Sequence, residues 1–206
     1  MTASTSGCSS TRAQIAQMAP NGTSPTSITG TSHSGIASTG IGYSQSGLQG
    51  AVPAPGSCTW AQASDGYALA DRSCTPGAVD SAVNQADIGT TICRPGGYTS
   101  TVRAPVQFTE AVKPQLMAAY SATGRRSSYE LDHLIPLGLG GSNAISNLWP
   151  EPNQGSPAQF DPTDPYGINA KDGVEDALHQ AVCNGQMSLV DAQMRIVSDW
   201  TTALSG

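Results

Sequence analysis

The chain has 206 residues, of which 38% are hydrophobic and only 12% are charged, and it contains 23 glycines and 14 prolines. This composition fits one ordinary domain with many loops and disfavours a protein built from long helices. The formal net charge of -6 is the wrong sign for broad electrostatic attraction to nucleic acid, and it therefore counts against a sequence-specific DNA-binding protein.

The first 56 residues are dominated by Ser, Thr, Gly, Ala and Pro and carry almost no charge. A segment of this composition buries too little apolar surface to offset the entropy that is lost on ordering. The sequence therefore predicts a flexible, low-complexity tail or tether over residues 1–56 and a folded domain over residues 57–206.

Short elements are predicted in the first half of the domain. We expect a short helix over residues 78–86, strands over residues 90–93 and 98–102, and a helix over residues 113–120. The two strands are predicted because β-branched residues flank a Pro-Gly-Gly turn. Pro114 is compatible with the helix because proline is tolerated in a first helical turn.

The second half of the domain has a clearer pattern. A strand over residues 128–137 leads into a glycine turn, and residues 147–149 form the returning strand. After a long Pro-rich loop, apolar residues at helical spacing predict a helix over residues 170–184. A last helix begins after Ser188, with Asp191 three residues on as a variant of the capping box.

Five cysteines are widely spaced and form no C-x-x-C pair, so the sequence supports neither a zinc ribbon nor a thioredoxin-type site. Dispersed cysteines in a Gly/Ser/Thr-rich chain indicate an oxidising compartment, and buried free thiols in a cytosolic protein are the alternative. No run approaches the ~20 apolar residues of a membrane span. We therefore predict a secreted or envelope-associated protein, with Cys8 as a lipid-attachment site if the natural chain starts upstream.

The segment from Tyr129 to Pro152 places Asp132 beside His133, and a glycine-rich turn separates this pair from Asn147. Hydrolysis of a phosphodiester needs a metal to neutralise the phosphate and a base to activate water. The pattern therefore predicts a nuclease in which Asp132 binds the metal, His133 is the base and Asn147 holds the imidazole. The alternative is an ordinary polar pair on an exposed strand, but polar residues inside an apolar strand favour a functional reason.

Further metal ligands are expected at the start of the helix near residue 170, where Asn169, Asp172 and Glu175 are available. Asp172 and Glu175 share a helix face because they are three residues apart. Three cationic side chains are candidate phosphate contacts, and for each of them solvated surface charge is an equally good interpretation. They are Lys171, Arg125 and Arg126.

A set of motifs extends over roughly residues 74–203. It consists of Thr91-Ile92-Cys93-Arg94-Pro95-Gly96, Glu130-Leu-Asp132-His133-Leu-Ile-Pro-Leu, Asn147-Leu-Trp-Pro-Glu-Pro, Lys171-Asp172-x-x-Glu175 and Ala-Val-Cys183-x-Gly. The central motifs resemble the HNH nuclease superfamily, whose ββα-metal site joins an Asp-His strand, a loop, a second strand with an Asn, and a helix. The whole set more closely resembles a group of small bacterial extracytoplasmic proteins.

The resemblance implies an α+β fold with a small ββα-metal nuclease core, added helices and disulfide-tied N-terminal strands. It implies that His133 activates water, that Asp132 binds a divalent metal, and that Asn147 orients the histidine. Mg is the expected ion, with Mn, Zn or Ni as alternatives. Many HNH proteins carry a His or Asn helix ligand soon after the Asn strand, whereas the loop here is much longer, so the choice among Asn169, Asp172 and Glu175 stays open.

The resemblance also implies the cysteine pairing. Cys93 would pair with Cys183, which joins the N-terminal strand region to the helix at the metal site. Cys58 would then pair with Cys74, and Cys8 would be left over.

The sequence as a whole predicts a metal-dependent endonuclease with low sequence specificity. Its expected substrate is nucleic acid, with DNA preferred over RNA as the prediction, and no stable protein partner is expected. The acidic charge keeps an alternative open, namely a non-catalytic extracytoplasmic binding or wall-associated module that retains the ββα scaffold. A peptidase or glycosidase using Glu130 and Asp132 is disfavoured, because residues two apart on a strand lie on one side whereas a glycosidase needs carboxylates flanking the bond.

Overall fold

The structure is a computed structural model that describes residues 36–153 and 169–205. Within these ranges short strands and helices alternate with long loops, and the strands form two-stranded sheets, so the architecture is of the mixed α+β kind. Among the described residues, no helix has the length and apolar character needed to cross a membrane.

The N-terminal half contains three pairs of short strands. They are β1 (Ala37–Thr39), β2 (Tyr43–Ser44), β3 (Gly47–Leu48), β4 (Ala61–Gln62), β5 (Ala68–Leu69) and β6 (Ala78–Asp80). Strand β1 pairs in parallel with β6, whereas β2–β3 and β4–β5 are antiparallel pairs. Two of these pairs are therefore local hairpins, and only the β1–β6 pair joins segments far apart in the chain.

The predicted tail is wrong for residues 36–56, which pack on the domain. Ile36 is buried in the core, and the backbone oxygen of Ile41 accepts a hydrogen bond from the Asn143 side chain at 2.8 Å. Gly42 has a φ of 85°, and a Cβ there would lie 2.2 Å from the backbone nitrogen of Ala144. Close approach and backbone hydrogen bonds hold this segment, and hydrophobic composition does not report them. Residues 1–35, which include Cys8, lie outside the described residues.

The C-terminal half contains the longer elements. They are α1 (Thr99–Val102), α2 (Val106–Ala119), β7 (Tyr129–His133), β8 (Leu148–Pro152), α3 (Ala170–Cys183) and α4 (Leu189–Asp199). Strands β7 and β8 form an antiparallel hairpin in which Asp132 lies opposite Trp149 and His133 lies opposite Leu148. Helix α3 packs on α4 and on the 3₁₀ turn Leu137–Leu139, which follows β7.

The two C-terminal helices confirm the predictions made from their periodicity and end signals. Helix α3 ends at Cys183, where Asn184 is the C-cap and Gly185 adopts a φ of 69°. Helix α4 begins after Ser188, whose side chain accepts a hydrogen bond from the backbone of Asp191.

Three short elements were predicted wrongly. The predicted helix over 78–86 begins as strand β6, residues 90–93 form turns, and residues 98–102 contain helix α1 instead of a strand. The threonines explain part of the difference, because Thr90 and Thr91 donate side-chain hydrogen bonds to the carbonyl of Asp87. Such local bonds compete with strand pairing. Helix α2 also begins at Val106, earlier than expected, and encloses Pro114.

Both disulfides implied by the resemblance are present, Cys58–Cys74 and Cys93–Cys183. The second bond spans 90 residues and ties the loop before α1 to the end of α3. Closing a loop of this length stabilises the fold by about 4 kcal/mol in the chain-entropy view. Two disulfides accord with an oxidising, extracytoplasmic environment. Trp149 and Trp200 are buried in the core.

Candidate functional site

The candidate site lies where the end of β7 meets the first turn of α3. Side chains two apart on a strand share a face, and this places Glu130 and Asp132 on the side of β7 that contacts α3. The Asn169 side chain donates to Glu130 Oε2 at 3.0 Å, and Lys171 Nζ donates to Asp132 Oδ2 at 2.7 Å. These contacts bring the hairpin and the helix into register around Lys171.

The Lys171 ammonium is the centre of the site and is fully buried. It donates to Asp132 Oδ2, to the backbone oxygen of His133 at 2.9 Å, and to Glu175 Oε1 one helical turn further along α3. An ammonium has three N–H donors, so these three acceptors satisfy it completely.

The charges around Lys171 are set by burial and by their neighbours. Burial alone would lower the pKa of Lys171, but the Asp132 and Glu175 carboxylates raise it above its ordinary value. Burial alone would raise the pKa of Asp132, but the Lys171 ammonium lowers it. Asp132 is therefore a carboxylate paired with a cation, and its Oδ2 also accepts a hydrogen bond from Trp149 Nε1 at 3.0 Å.

Two further carboxyl groups border the ion pair. Burial and the charge of Asp132 raise the pKa of Glu151 well above its usual range, and the Glu151 side chain is hydrogen-bonded to Asp132. Burial raises the pKa of Glu175 to about 8, with the Lys171 ammonium opposing the rise. Asp132 is thus the group of the cluster whose pKa is lowered, whereas Glu151 and Glu175 are groups whose pKa is raised.

His133 is buried beside this cluster, and its imidazole is neutral. Burial lowers the pKa of His133 to about 4; the exposed Arg103 contributes to the lowering, whereas the Asp132 carboxylate opposes it. Its Nε2 lies 3.2 Å from Asn143 Oδ1. An imidazole that is neutral at pH 7 can act as a proton acceptor through the nitrogen that carries no hydrogen.

The contacts of Asn143 determine which nitrogen that is. The Asn143 amide nitrogen donates to the backbone oxygens of Ile41 and Val102, and its Oδ1 accepts from the backbone nitrogen of Ala104. With its amide orientation fixed in this way, Asn143 Oδ1 accepts from His133 Nε2–H, so the lone pair is on Nδ1. Within residues 36–153 and 169–205, Nδ1 has no protein partner, and no buried side-chain nitrogen or oxygen is left unsatisfied. Nδ1 therefore reaches solvent.

The prediction that Asn147 holds the imidazole is wrong, because Asn147 does not contact the ring. Its Oδ1 accepts from the backbone nitrogens of Ile135 and Ala78, and its amide nitrogen donates to the backbone oxygens of Ile135 and Ser142. Its own backbone oxygen accepts from Leu134, the residue after His133. Asn147 therefore fixes the loop that carries the histidine, and Asn143, which the sequence analysis missed, contacts the ring itself. The available signal for Asn143 was a further asparagine in the same turn, four residues before Asn147.

Of the expected metal ligands on α3, only Glu175 converges with Asp132, and both of these carboxyl groups contact Lys171 Nζ instead of a metal. Asn169 and Asp172 form a reciprocal capping box, in which the Asn169 backbone donates to Asp172 Oδ2 at 3.0 Å. Glu175 is paired with Lys171, which also neutralises Asp132. A divalent cation prefers several oxygen ligands around one point. Because each of these side chains has another partner, the arrangement does not fit a divalent ion bound jointly by Asp132 and α3.

The expected phosphate contacts are corrected in a similar way. Lys171 is fully buried and does not face a substrate. Arg125 and Arg126 are exposed, but they precede β7 and so lie at the opposite end of the strand from His133. Arg103 is an exposed cation near the site and lines a cleft of about 310 Å³ together with Glu175 and His179.

One Cys/His group in the described part of the chain has the spacing of metal ligands. The ligand atoms of Cys93, His179 and Cys183 lie within 4.8 Å of one another. The two sulfurs are joined in a disulfide, whereas a cysteine binds metal as a thiolate. In the oxidised protein this group therefore offers only the His179 imidazole, whose Nε2 lies 2.9 Å from the backbone oxygen of Ile92.

Comparisons of the chain with protein-family models, with curated proteins and with solved structures found no match.

Proposed function

We propose that the protein hydrolyses phosphodiester bonds of nucleic acid, with His133 as the general base that activates water. The observation that carries this proposal is a buried, neutral imidazole whose Nε2–H is held by Asn143 and whose Nδ1 lone pair reaches solvent. The order of β7, β8 and α3 around this histidine supports the proposal, because it is the order expected of a ββα nuclease core.

In the proposed reaction, Nδ1 of His133 takes a proton from a water molecule. The water oxygen forms a bond to phosphorus while the bond from phosphorus to the leaving sugar oxygen breaks, and that oxygen then takes a proton from solvent. Arg103 lines the neighbouring cleft and is the cation best placed to bind the phosphate. The proposed reaction has no step at a divalent ion, because the side chains expected to bind one have other partners.

The proposed substrate is DNA or RNA without sequence preference. The net charge of -6 gives no broad basic surface for tracking along a nucleic acid, and base readout needs side chains ordered in a groove. We therefore expect weak binding whose strength depends on the few cations near the site.

A second candidate function is a non-catalytic extracytoplasmic binding or wall-associated module. It is favoured by one observation, namely that Asp132 and Glu175 are already paired with a buried lysine and so contribute to holding the scaffold together. This candidate predicts no cleavage by the wild-type protein under any condition.

Cleavage of plasmid DNA and of a single-stranded RNA, measured with and without EDTA and with Mg, Mn, Zn or Ni, tests the proposal. We expect His133→Ala and His133→Gln to lower cleavage by roughly two to four orders of magnitude, the range that general-base catalysis contributes. Circular dichroism and thermal unfolding would show whether each variant keeps its fold. Full activity in folded His133 variants would exclude His133 as the base.

Arg103→Ala, compared with Arg126→Ala as a matched exposed arginine, tests the phosphate contact. We expect the first to raise KM with little change in kcat, and the second to leave both unchanged.

A further inference from the structure

We infer that the Lys171 ammonium is the resident cation of this site and holds the position that a divalent metal was expected to take. The inference concerns which cation neutralises Asp132, and it stands whether or not the protein cleaves nucleic acid. Lys171 is therefore a positioning residue. It is buried in the scaffold and acts through Asp132 and the backbone of His133.

The first support is coordination. The ammonium nitrogen contacts Asp132 at 2.7 Å and the His133 backbone oxygen at 2.9 Å, and its third partner is Glu175. These two distances are those of charge-assisted N–H···O bonds, whereas Mg and Ca bind oxygen at about 2.0–2.6 Å. Two of the four side chains expected to bind metal, Asp132 and Glu175, are thus ligands of one nitrogen atom.

The second support is how the chain places that nitrogen. Asn169 and Asp172 cap the first turn of α3, and this fixes the orientation of the turn that carries Lys171. Asn169 also binds Glu130 on β7, so the turn is anchored on the strand at a second point. Glu175 follows Lys171 by four residues and therefore lies on the same helix face. Each of the remaining predicted ligands thus serves to aim Lys171 at Asp132.

The third support is the balance of charge and space. Lys171 has no exposed surface, and Asp132 is only 8% exposed. A divalent ion added beside Asp132 would meet a buried ammonium a few ångström away, with no water to screen the repulsion. Binding a metal there would require Lys171 to leave its three acceptors and expose an aliphatic stem and a charge elsewhere. The arrangement therefore excludes a second cation as long as Lys171 is in place.

The consequence for the site is a fixed positive charge that chelators do not remove. It neutralises Asp132 and holds the backbone oxygen of His133, the residue whose imidazole contacts Asn143. Unlike a metal, it has no open coordination position at which to bind and acidify water.

The test is metal binding by the full, oxidised chain, measured without nucleic acid. Thermal unfolding and calorimetric titration with Mg, Mn and Ca should show no binding, with a change in Tm of less than about 1 °C. An ion present at a hundred times its Kd would instead raise Tm by roughly 5–10 °C. Wild-type protein that binds one Mn ion, with Asp132→Asn abolishing that binding, would overturn the inference. Because no substrate is present, the result is independent of whether the proposed nuclease activity exists.

A variant gives the converse test. Lys171→Met removes the ammonium but keeps most of its volume, and leaves the carboxylates of Asp132 and Glu175 facing each other. We expect this variant to gain Mn binding, seen as a Tm that rises with Mn and falls back with EDTA. Lys113→Met is the matched control, since Lys113 is the other lysine of the chain and lies on α2; it should behave like wild type. A folded Lys171→Met protein that ignores Mn would contradict the inference, and if that variant does not fold, the wild-type titration still decides.

Discussion

Two ion pairs are linked to opposite ends of strand β7 and have the same length, yet they differ in every other respect. Lys171–Asp132 and Arg126–Glu110 both measure 2.7 Å. The side chains of the first pair are 0% and 10% exposed, whereas those of the second are 50% and 57% exposed. From sequence alone, Lys171 and Arg126 are equivalent candidates for a phosphate contact. Burial, which the local sequence does not report, separates a structural cation from a surface one.

The difference in burial matters because the surrounding medium determines how much an ion pair contributes to stability. At the exposed end of β7, water screens each partner, and the pair adds little beyond what each group gains from solvent. At the buried end, each partner depends on the other, because a lone charge there has no water to stabilise it. The buried end is also where His133 becomes a neutral imidazole, since the same burial lowers its pKa. Burial therefore both makes the Lys171–Asp132 pair important for stability and keeps the proposed base neutral.

The largest effect is expected from breaking the buried pair. Lys171→Ala leaves Asp132 as a buried carboxylate without its cation, and we expect a loss of about 3–5 kcal/mol in the free energy of unfolding. Urea denaturation at pH 7 measures it. Asp132→Asn combined with Lys171→Met should cost clearly less than the sum of the two single changes, because it removes both charges together. Strictly additive losses would mean that the pair is not coupled, contrary to the geometry.

A smaller loss of stability is expected on acidification, and it arises at the buried end of β7. The folded pKa of His133 is lowered to about 4, from an ordinary value of 6.5, because burial disfavours the imidazolium. Between these values the unfolded chain binds more protons than the folded one, so stability is present above pH 6.5 and is lost as the pH falls toward 4. The loss assigned to His133 is on the order of 3 kcal/mol.

Comparison of the wild-type protein with His133→Gln separates the contribution of His133 to stability from that of other groups that titrate in the same range. Glu130 is one of these, since burial, with the charges of Asp132 and Asp172, raises its pKa to about 7 and gives it the opposite slope with pH. Denaturation between pH 4 and pH 7 should show the wild type losing its advantage over the variant as the pH falls. A difference that stays constant with pH would contradict the lowered pKa of His133.

The same contrast explains what the sequence could predict. Helices α3 and α4 were correct because apolar spacing and end signals are local properties of the chain. The hairpin pattern also correctly predicts that Asp132 and His133 lie on a strand, although that strand ends at His133 and not at residue 137. The burial of Lys171 was not, because lysine is almost never fully buried unless it is paired, and its partner Asp132 lies 39 residues away.

Asn143 was missed for a related reason. It holds His133 only because Ile41 and Val102, from two other parts of the chain, offer the carbonyls that orient its amide. Asn147 looked like the better candidate because it belongs to a motif, but its four side-chain bonds are spent on the loop backbone. A sequence motif indicates which residues are important to a site, whereas only the tertiary contacts show which of them touches the His133 imidazole.

The smallest effect is expected at the exposed end of β7. Arg126→Ala, Glu110→Ala and the double variant should each change the free energy of unfolding by less than about 0.5 kcal/mol, because solvent screens this pair and both side chains regain freedom when it is broken. Urea denaturation at low and high salt measures the difference, and salt should reduce what little coupling exists. The matched set at Lys171 and Asp132 should be almost insensitive to salt. An Arg126–Glu110 coupling as large as the buried one would show that distance alone, and not burial, governs these two pairs.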